Sequence, residues 1–358
     1  MPDPRAQPQL YTIPPSAPFL TTLARAILAG DLPKPGGARP SQLDLPNTTI
    51  YLPTRRAART LREAFVDESG GKALLLPRIQ TLGDTDDDEA LSLDADRYAG
   101  PDGNPGVAAI EPMARLIALT RMIQAWARGA GEARPAGLEG PLPMTPAQAA
   151  SLASDLATLM DNAQSEEVDL NTLGNLVPEE LAAHWAETVD FLSIVTEQWP
   201  TYLKGIGLVS PVERRNLLMA LETERLAGGS PQPVIAAGST GTVPATARLL
   251  EAISHLPNGA VVLPGLDLFL DDESWETLRH HPEHPQAGMA ELLRKLGATR
   301  EQVSLVPGSS PGPAEHARLQ LTSETLRPAE KTDRWPTVFA ASAADAESDY
   351  AEGLAGVS

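Results

Sequence analysis

LYTIPPSAPFLTTLARAIL, residues 10–28, is the stretch from which the fold can be read. Leu10 to Ile13 reads as a short strand, PPSAPF as a tight turn, and the rest as a helix. Leu20, Leu23, Ala24 and Ile27 fall on one stripe at i, i+3, i+4, i+7. A strand, a turn and a helix at the start of an α/β chain is where a phosphate-binding loop sits. Such a loop needs glycines that let backbone N–H groups converge, a Lys for the phosphates and a Ser or Thr for Mg²⁺. No Gly lies between Leu10 and Ala29, and the first Lys in the chain is Lys34. Pro14, Pro15 and Pro18 have no N–H to offer. Thr21 and Thr22 already belong to the helix. The element is therefore expected, and the nucleotide site in it is not.

A chain of 358 residues with 42% hydrophobic content suits a soluble protein of about two or three domains. No apolar run is long enough for a membrane span. The first residues, MPDPRAQPQ, lack the apolar core of a signal peptide. With no cysteine, disulfides, thiol catalysis and Cys-ligated metal are excluded, which fits a cytoplasmic protein. The net charge of −19 argues against nucleic acid only until its distribution is read. Residues 1–62 carry eight basic and three acidic side chains; the rest carry twenty and forty-four. An anion-binding surface is thus expected near the N-terminal end.

After a Pro/Gly-rich connector (32–47), TIYLPTRRAARTLREAF repeats the strand, turn and helix. ALLLP (73–77) reads as a third buried strand, and 83–106 as an acidic boundary loop. From about 108 to 227 only helical periodicity appears. Thr145 before Pro146, and Ser210 before Pro211 with Glu213 following, are helix starts. Trp126, Trp185 and Trp199 lie on apolar stripes and read as core. Strands QPVIAAG, GAVVLPG and VSLVP then alternate with helices. The expectation is an α/β fold with a parallel sheet over 8–106 and 228–310. A helical insertion spans 107–227, and a polar helical tail spans 311–358.

PTRRAARTLREAF (53–65) carries the most informative chemistry. Thr54 is the expected N-cap. Arg55, Arg59 and Arg62 fall on one face; Ala58, Leu61 and Phe65 fall on another. Arg55 and Arg56 in the first turn oppose the helix macrodipole, a cost that phosphate binding at this N-terminus would explain. The alternative is an amphipathic surface helix whose arginines pair with Glu63 or Asp67. GSTGTVPAT (238–246) offers the hydroxyls of Ser239, Thr240 and Thr242 in a glycine turn, or is an ordinary strand–helix connection. Asp267, Asp271, Asp272 and Glu273, like Asp84 to Glu89, read as solvated loops rather than Mg²⁺ ligands. Pro282 breaks the helical spacing of His280 and His284, with His281 between them, so no metal site is expected.

Taken in order, YTIPPSAPFLTTLARAIL, IYLPTRRAARTLREAF, ALLLPRIQTLGD, AAGSTGTVPATARLLEAI, VVLPGLDLFLDDESW and HPQAGMAELLRKLG resemble the N-terminal portion of the AddB family, in its α-proteobacterial type. AddB is a subunit of AddAB-type helicase–nucleases in double-strand-break repair by homologous recombination. The resemblance implies a superfamily 1 helicase-like domain, 1A-like, with a helical 1B-like insertion. The motor would be the AddA-type partner of a heterodimer, and this chain would guide single-stranded DNA and contribute to Chi recognition. Pro14, Pro15 and Ser16 would occupy a degenerate P-loop position. Thr54, Arg55, Arg56, Arg59 and Arg62 would match a backbone-contacting helicase motif. The tail from 330 is similar to the start of a second helicase-like domain. The family's nuclease carboxylates match no residue here, so exonuclease chemistry is carried to none, and no catalytic residue, metal or cofactor is expected in this chain. Two other readings stay open: a divergent NTPase using Ser239 to Thr242 with Asp267, and a purely structural partner subunit.

Overall fold

The computed structural model describes residues 7–37, 39–41, 43–82, 108–130, 144–175 and 191–336. The expectations placed on Asp84–Glu89, on Trp185 and on the tail beyond 336 lie outside these residues. Six strands and ten helices occur among those described. By contacts the chain divides into two compact units. One holds Met1–Ala90, Glu222–Thr242 and Thr246–Ser358; the other holds Leu91–Leu221 with Val243–Ala245.

The first unit is built on one all-parallel sheet. Its strands are β1 (Leu10–Ile13), β2 (Thr49–Leu52), β3 (Arg78–Thr81), β4 (Val234–Ala237), β5 (Gly259–Pro264) and β6 (Ser304–Leu305). They lie in the order β3-β2-β4-β5-β1-β6, and all five pairs are parallel. A parallel sheet is covered on both faces, and the apolar runs VIAA and GAVVLP show why these strands are buried throughout. Alternate residues divide between the faces. Tyr11, Ile13, Ile50, Leu52, Ile235, Ala237, Ala260 and Val262 join one core. Leu23, Ala24 and Ile27 of α1 (Phe19–Ala29) enter it, as do Ala58, Leu61 and Phe65 of α2 (Arg55–Glu68). Each such Leu, Ile or Phe removed from water contributes about 2 kcal/mol.

Thr12, Tyr51, Ala236, Val261 and Leu263 are buried on the other face. There the Tyr51 hydroxyl hydrogen-bonds Glu222 near the end of a long helix, numbered α6 below. From β1 the chain steps to β2 and β3 toward one edge, then returns through β4, β5 and β6 toward the other. Right-handed crossovers send α1 and α2 to one face and the helices after β4 and β5 to the opposite face. Crevices therefore open at the carboxyl ends of two adjacent strand pairs, β1/β5 and β2/β4, because their loops depart in opposite directions.

The third strand departs from expectation. ALLLP is not in the sheet; the next residues, RIQT, are. Leu75 is exposed, while Leu74 and Leu76 pack on the rim of the core. Pro77 has no N–H for a ladder, and Arg78 N–H makes the first bond to β2, to Thr48 O at 2.9 Å.

The second unit is helical among its described residues, apart from one isolated parallel bridge between Ala109 and Val209. It contains α3 (Pro112–Ala130), α4 (Pro146–Ser165), α5 (Trp199–Ile206) and the first part of α6 (Pro211–Ala227). Thr145 caps α4 reciprocally with Gln148, at 3.3 Å and 2.9 Å. Leu119, Ile123, Leu156, Met160, Ile194, Trp199 and Leu203 form its core, and Trp126 packs against it. Trp199 is therefore a core residue, while half-buried Trp126 flanks the core and meets Phe191 edge-on at 4.9 Å.

After β4 come α7 (Pro244–Ser254), α8 (Asp272–Thr277), α9 (Ala287–Lys295) and α10 (Pro313–Thr325). Gly259 starts β5 at the closest approach in this unit. A Cβ there would lie 1.9 Å from Ile253 O and 2.8 Å from Leu256 Cβ. Gly259→Ala is expected to destabilise the protein by about 3 kcal/mol, measured as a lower midpoint in urea; an unchanged midpoint would contradict this packing.

Candidate nucleic-acid interface

The β2/β4 crevice gathers the basic helix and the glycine loop. Thr54 leaves β2 in extended conformation, and its hydroxyl accepts from Ala57 N–H at 3.2 Å, starting α2 at Arg55. Ala58, Leu61, Ala64 and Phe65 are buried, which turns Arg55, Arg56, Arg59 and Arg62 outward, all exposed. The structure also shows how charge runs along the helix. All four arginines lie in its first eight residues, RRAARTLR, and its acids, Glu63, Asp67 and Glu68, come after them. Both ends thus oppose the macrodipole, which favours acids first and bases last. Helix stability does not explain this order.

One pair expected of an amphipathic surface helix is present. Arg59 meets Glu63 at 3.3 Å, with both side chains largely exposed, so the pair is weak and easily exchanged. Glu68 is held by both guanidinium arms of Arg25 of α1, at 2.9 and 3.0 Å. The acid at the far end is thereby engaged away from the arginines.

The glycine loop after β4 adjoins this N-terminus. A Cβ on Gly238 would lie 3.4 Å from Phe19 Cε1 and 3.6 Å from Pro53 Cδ. The loops after β1, β2 and β4 therefore meet here. Ser239 Oγ accepts from Gly241 N–H at 3.3 Å. Gly241 has φ +64°, and a Cβ on it would strike Leu292 Cδ1 of α9 at 2.7 Å. A Cβ on Gly288 of α9 would lie equally close to the Thr242 methyl group, at 2.7 Å. The glycines thus admit α9, a packing role that the sequence does not reveal. Ser239 and Thr240 are half-buried and Thr242 is exposed.

At the position of a P-loop, Ala17 N–H closes a turn on Pro14 O at 3.0 Å. Pro15 packs on Gly265, where a Cβ would approach Pro15 Cγ to 2.9 Å. Ser16 is exposed. Prolines face the space where a phosphate would need N–H donors.

In the acidic loop after β5, Asp272 and Glu273 are exposed, as expected of a solvated segment, while Asp267 and Asp271 are half-buried. Asp267 Oδ1 accepts from Phe269 and Leu270 N–H at 2.8 and 3.0 Å. Asp271 caps α8 through Ser274 and binds buried Arg327, which also pairs with Glu324 at 2.6 Å. Asp272 binds buried Arg300 at 2.6 Å, and that guanidinium stacks 4.7 Å over Trp275. Glu273 meets Lys331 at 2.6 Å. These partners lie tens of residues away in sequence, where no local pattern could announce them.

The histidines bind the same region. His281 sits between Glu330 and Glu283, at 3.0 and 3.1 Å, and these hydrogen bonds raise its pKa above the ordinary 6.5. His284 Nε2 donates to Leu326 O at 2.7 Å, while its Nδ1 accepts from Gln286 N–H. No group of three metal-ligating side chains occurs among the described residues. No helix among them is long and apolar enough to cross a membrane. No family model matches this chain, and no curated protein does.

Burial alone would raise the Asp271 pKa, but hydrogen bonds from Arg327 and Ser274 outweigh it and hold the carboxyl at about 2. A depressed carboxyl stabilises the fold above its unfolded value, here 3.8, and that contribution is lost as pH falls toward 2. Asp271→Asn is expected to lower stability at pH 7 and to flatten the loss between those two values. Urea titrations over a pH series test this; identical acid limbs in both proteins would contradict it.

Proposed function

We propose that this chain is the non-catalytic, helicase-like region of an AddB-type subunit of a double-strand-break repair helicase–nuclease. In this reading the α/β unit is the 1A-like domain and the helical unit is the 1B-like one. Its task is to guide single-stranded DNA across the carboxyl edge of the sheet. The observation that supports it is the N-terminus of α2. Four exposed arginines lie within the first eight residues that follow the Thr54 cap, against the helix's own electrostatic preference.

Mechanistically, the guanidinium groups and the helix N-terminus hold backbone phosphates and so set the path of the strand. Phosphate contacts carry no sequence information, so this surface positions DNA and does not read it. Thr54 fixes where the helix begins and hence where its amides point. Gly238 lets the β4 loop lie against Pro53 at the rim of the crevice. With the β1 turn proline-rich, nucleotide hydrolysis falls to a partner. Docking of an AddA-type motor subunit follows from the family resemblance. The rival NTPase reading is weakened by the packing of Leu292 on Gly241, which gives that loop a structural reason for its glycine.

Fluorescence anisotropy with a labelled oligothymidylate tests the reading. Wild-type affinity should fall as salt rises. Replacing Arg55, Arg56 and Arg59 together by Ala should weaken binding at least about tenfold and reduce the log–log salt slope by about 2. Stability should hold or rise by up to about 1 kcal/mol, since Ala suits the helix and the opposed charges are gone. Unchanged titrations of the triple variant would overturn the assignment.

A further inference from the structure

The other crevice, between β1 and β5, opens into a cavity of about 500 Å³. That volume falls within the range of about 300–1,000 Å³ typical of small-molecule sites. Thr12, Pro14, Pro15 and the Gly265–Phe269 loop form one side. Leu319, Thr322 and Leu326, on α10 and just after it, form the other.

The walls are fixed in place. The Gln286 amide donates to Gly265 O at 3.0 Å and accepts from Asp267 N–H at 3.1 Å. Thr12 Oγ1 donates to Leu263 O at 3.1 Å and accepts from Leu266 N–H at 3.0 Å. Arg327 locks the end of α10 to Asp271 and to Ser274 Oγ, and His284 holds Leu326 O. The cavity is thus preformed and needs no folding to receive a ligand.

Its chemistry is unlike that of a nucleotide site. No Lys or Arg lines it. Its one carboxylate, Asp267, is engaged by the Phe269 and Leu270 amides of its own loop. An anion would find no permanent counter-charge, and a cation would have to displace those bonds. The surfaces are flat and apolar: the rings of Pro14, Pro15 and Pro311, and Phe269 set edge-on to His316 at 4.8 Å. Exposed His316 and Ser310 supply polar atoms among these flat walls. We infer that this cavity binds an uncharged, ring-bearing small molecule at the place where doubly wound folds hold a nucleotide.

Saturation-transfer NMR on the full chain, with indole as the probe, tests this. Thr322 is exposed, and its hydroxyl bonds only Arg318 O of its own helix, so Thr322→Trp fills the cavity without disturbing the core. Transfer to indole is expected in the wild type. Thr322→Trp, with its melting temperature unchanged, should weaken affinity at least about tenfold. Excess MgATP should not displace the probe. Absence of transfer in the wild type would overturn the inference. So would displacement by MgATP, or full binding retained in both Thr322→Trp and Leu319→Trp.

Discussion

The first unit depends on the pairing of β1 with β5. The two strands are far apart in the chain, with Thr12 and Leu263 separated by 251 residues. Closing so long a loop costs entropy before any contact is gained. Part of that cost is offset by the Thr12 hydroxyl, which is buried and bonds β5 through both its proton and its lone pair. Once β1 lies between β5 and β6, every carboxyl end falls on one edge of the sheet. The loops after β1, β2, β4 and β5 then meet there, and both crevices follow.

The two crevices have diverged in chemistry. Beside one lie the exposed arginines of α2; the other is lined mostly by prolines, leucines and an aromatic pair. The same edge thus offers a basic, solvent-facing surface and a largely apolar cavity. The division explains why the proline turn after β1 is compatible with a working fold. Prolines there leave the β1/β5 ladder intact, because they lie beyond its last paired residue, Ile13.

Much of the framework was legible in the residues. Apolar runs with flanking turns gave β1, β2, β4 and β5, and helical stripes gave α1 and α2, including the Thr54 cap. The buried and exposed sides of α2 follow from spacing alone. β3 was displaced because ALLLP has the apolar content of a strand, while Pro77 and the sheet edge move the pairing to RIQT. The ion pairs of the acidic loop were not legible because Arg300 and Arg327 reach Asp272 and Asp271 from distant sequence. The loop at Gly241 read either as a hydroxyl-bearing turn or as an ordinary strand–helix connection, because nothing nearby in sequence announces Leu292. Charge order along α2 was written in the sequence and acquires its meaning once the helix limits, Arg55 and Glu68, are fixed.

The central claim is that phosphate contacts concentrate at the start of α2. Hydrogen–deuterium exchange of the full chain, with and without single-stranded DNA, tests it most directly. The account predicts added protection at Pro53–Arg62 and Gly238–Thr242, with none at Pro14–Ala17. Protection confined to other segments, or none under conditions where DNA is bound, would contradict it.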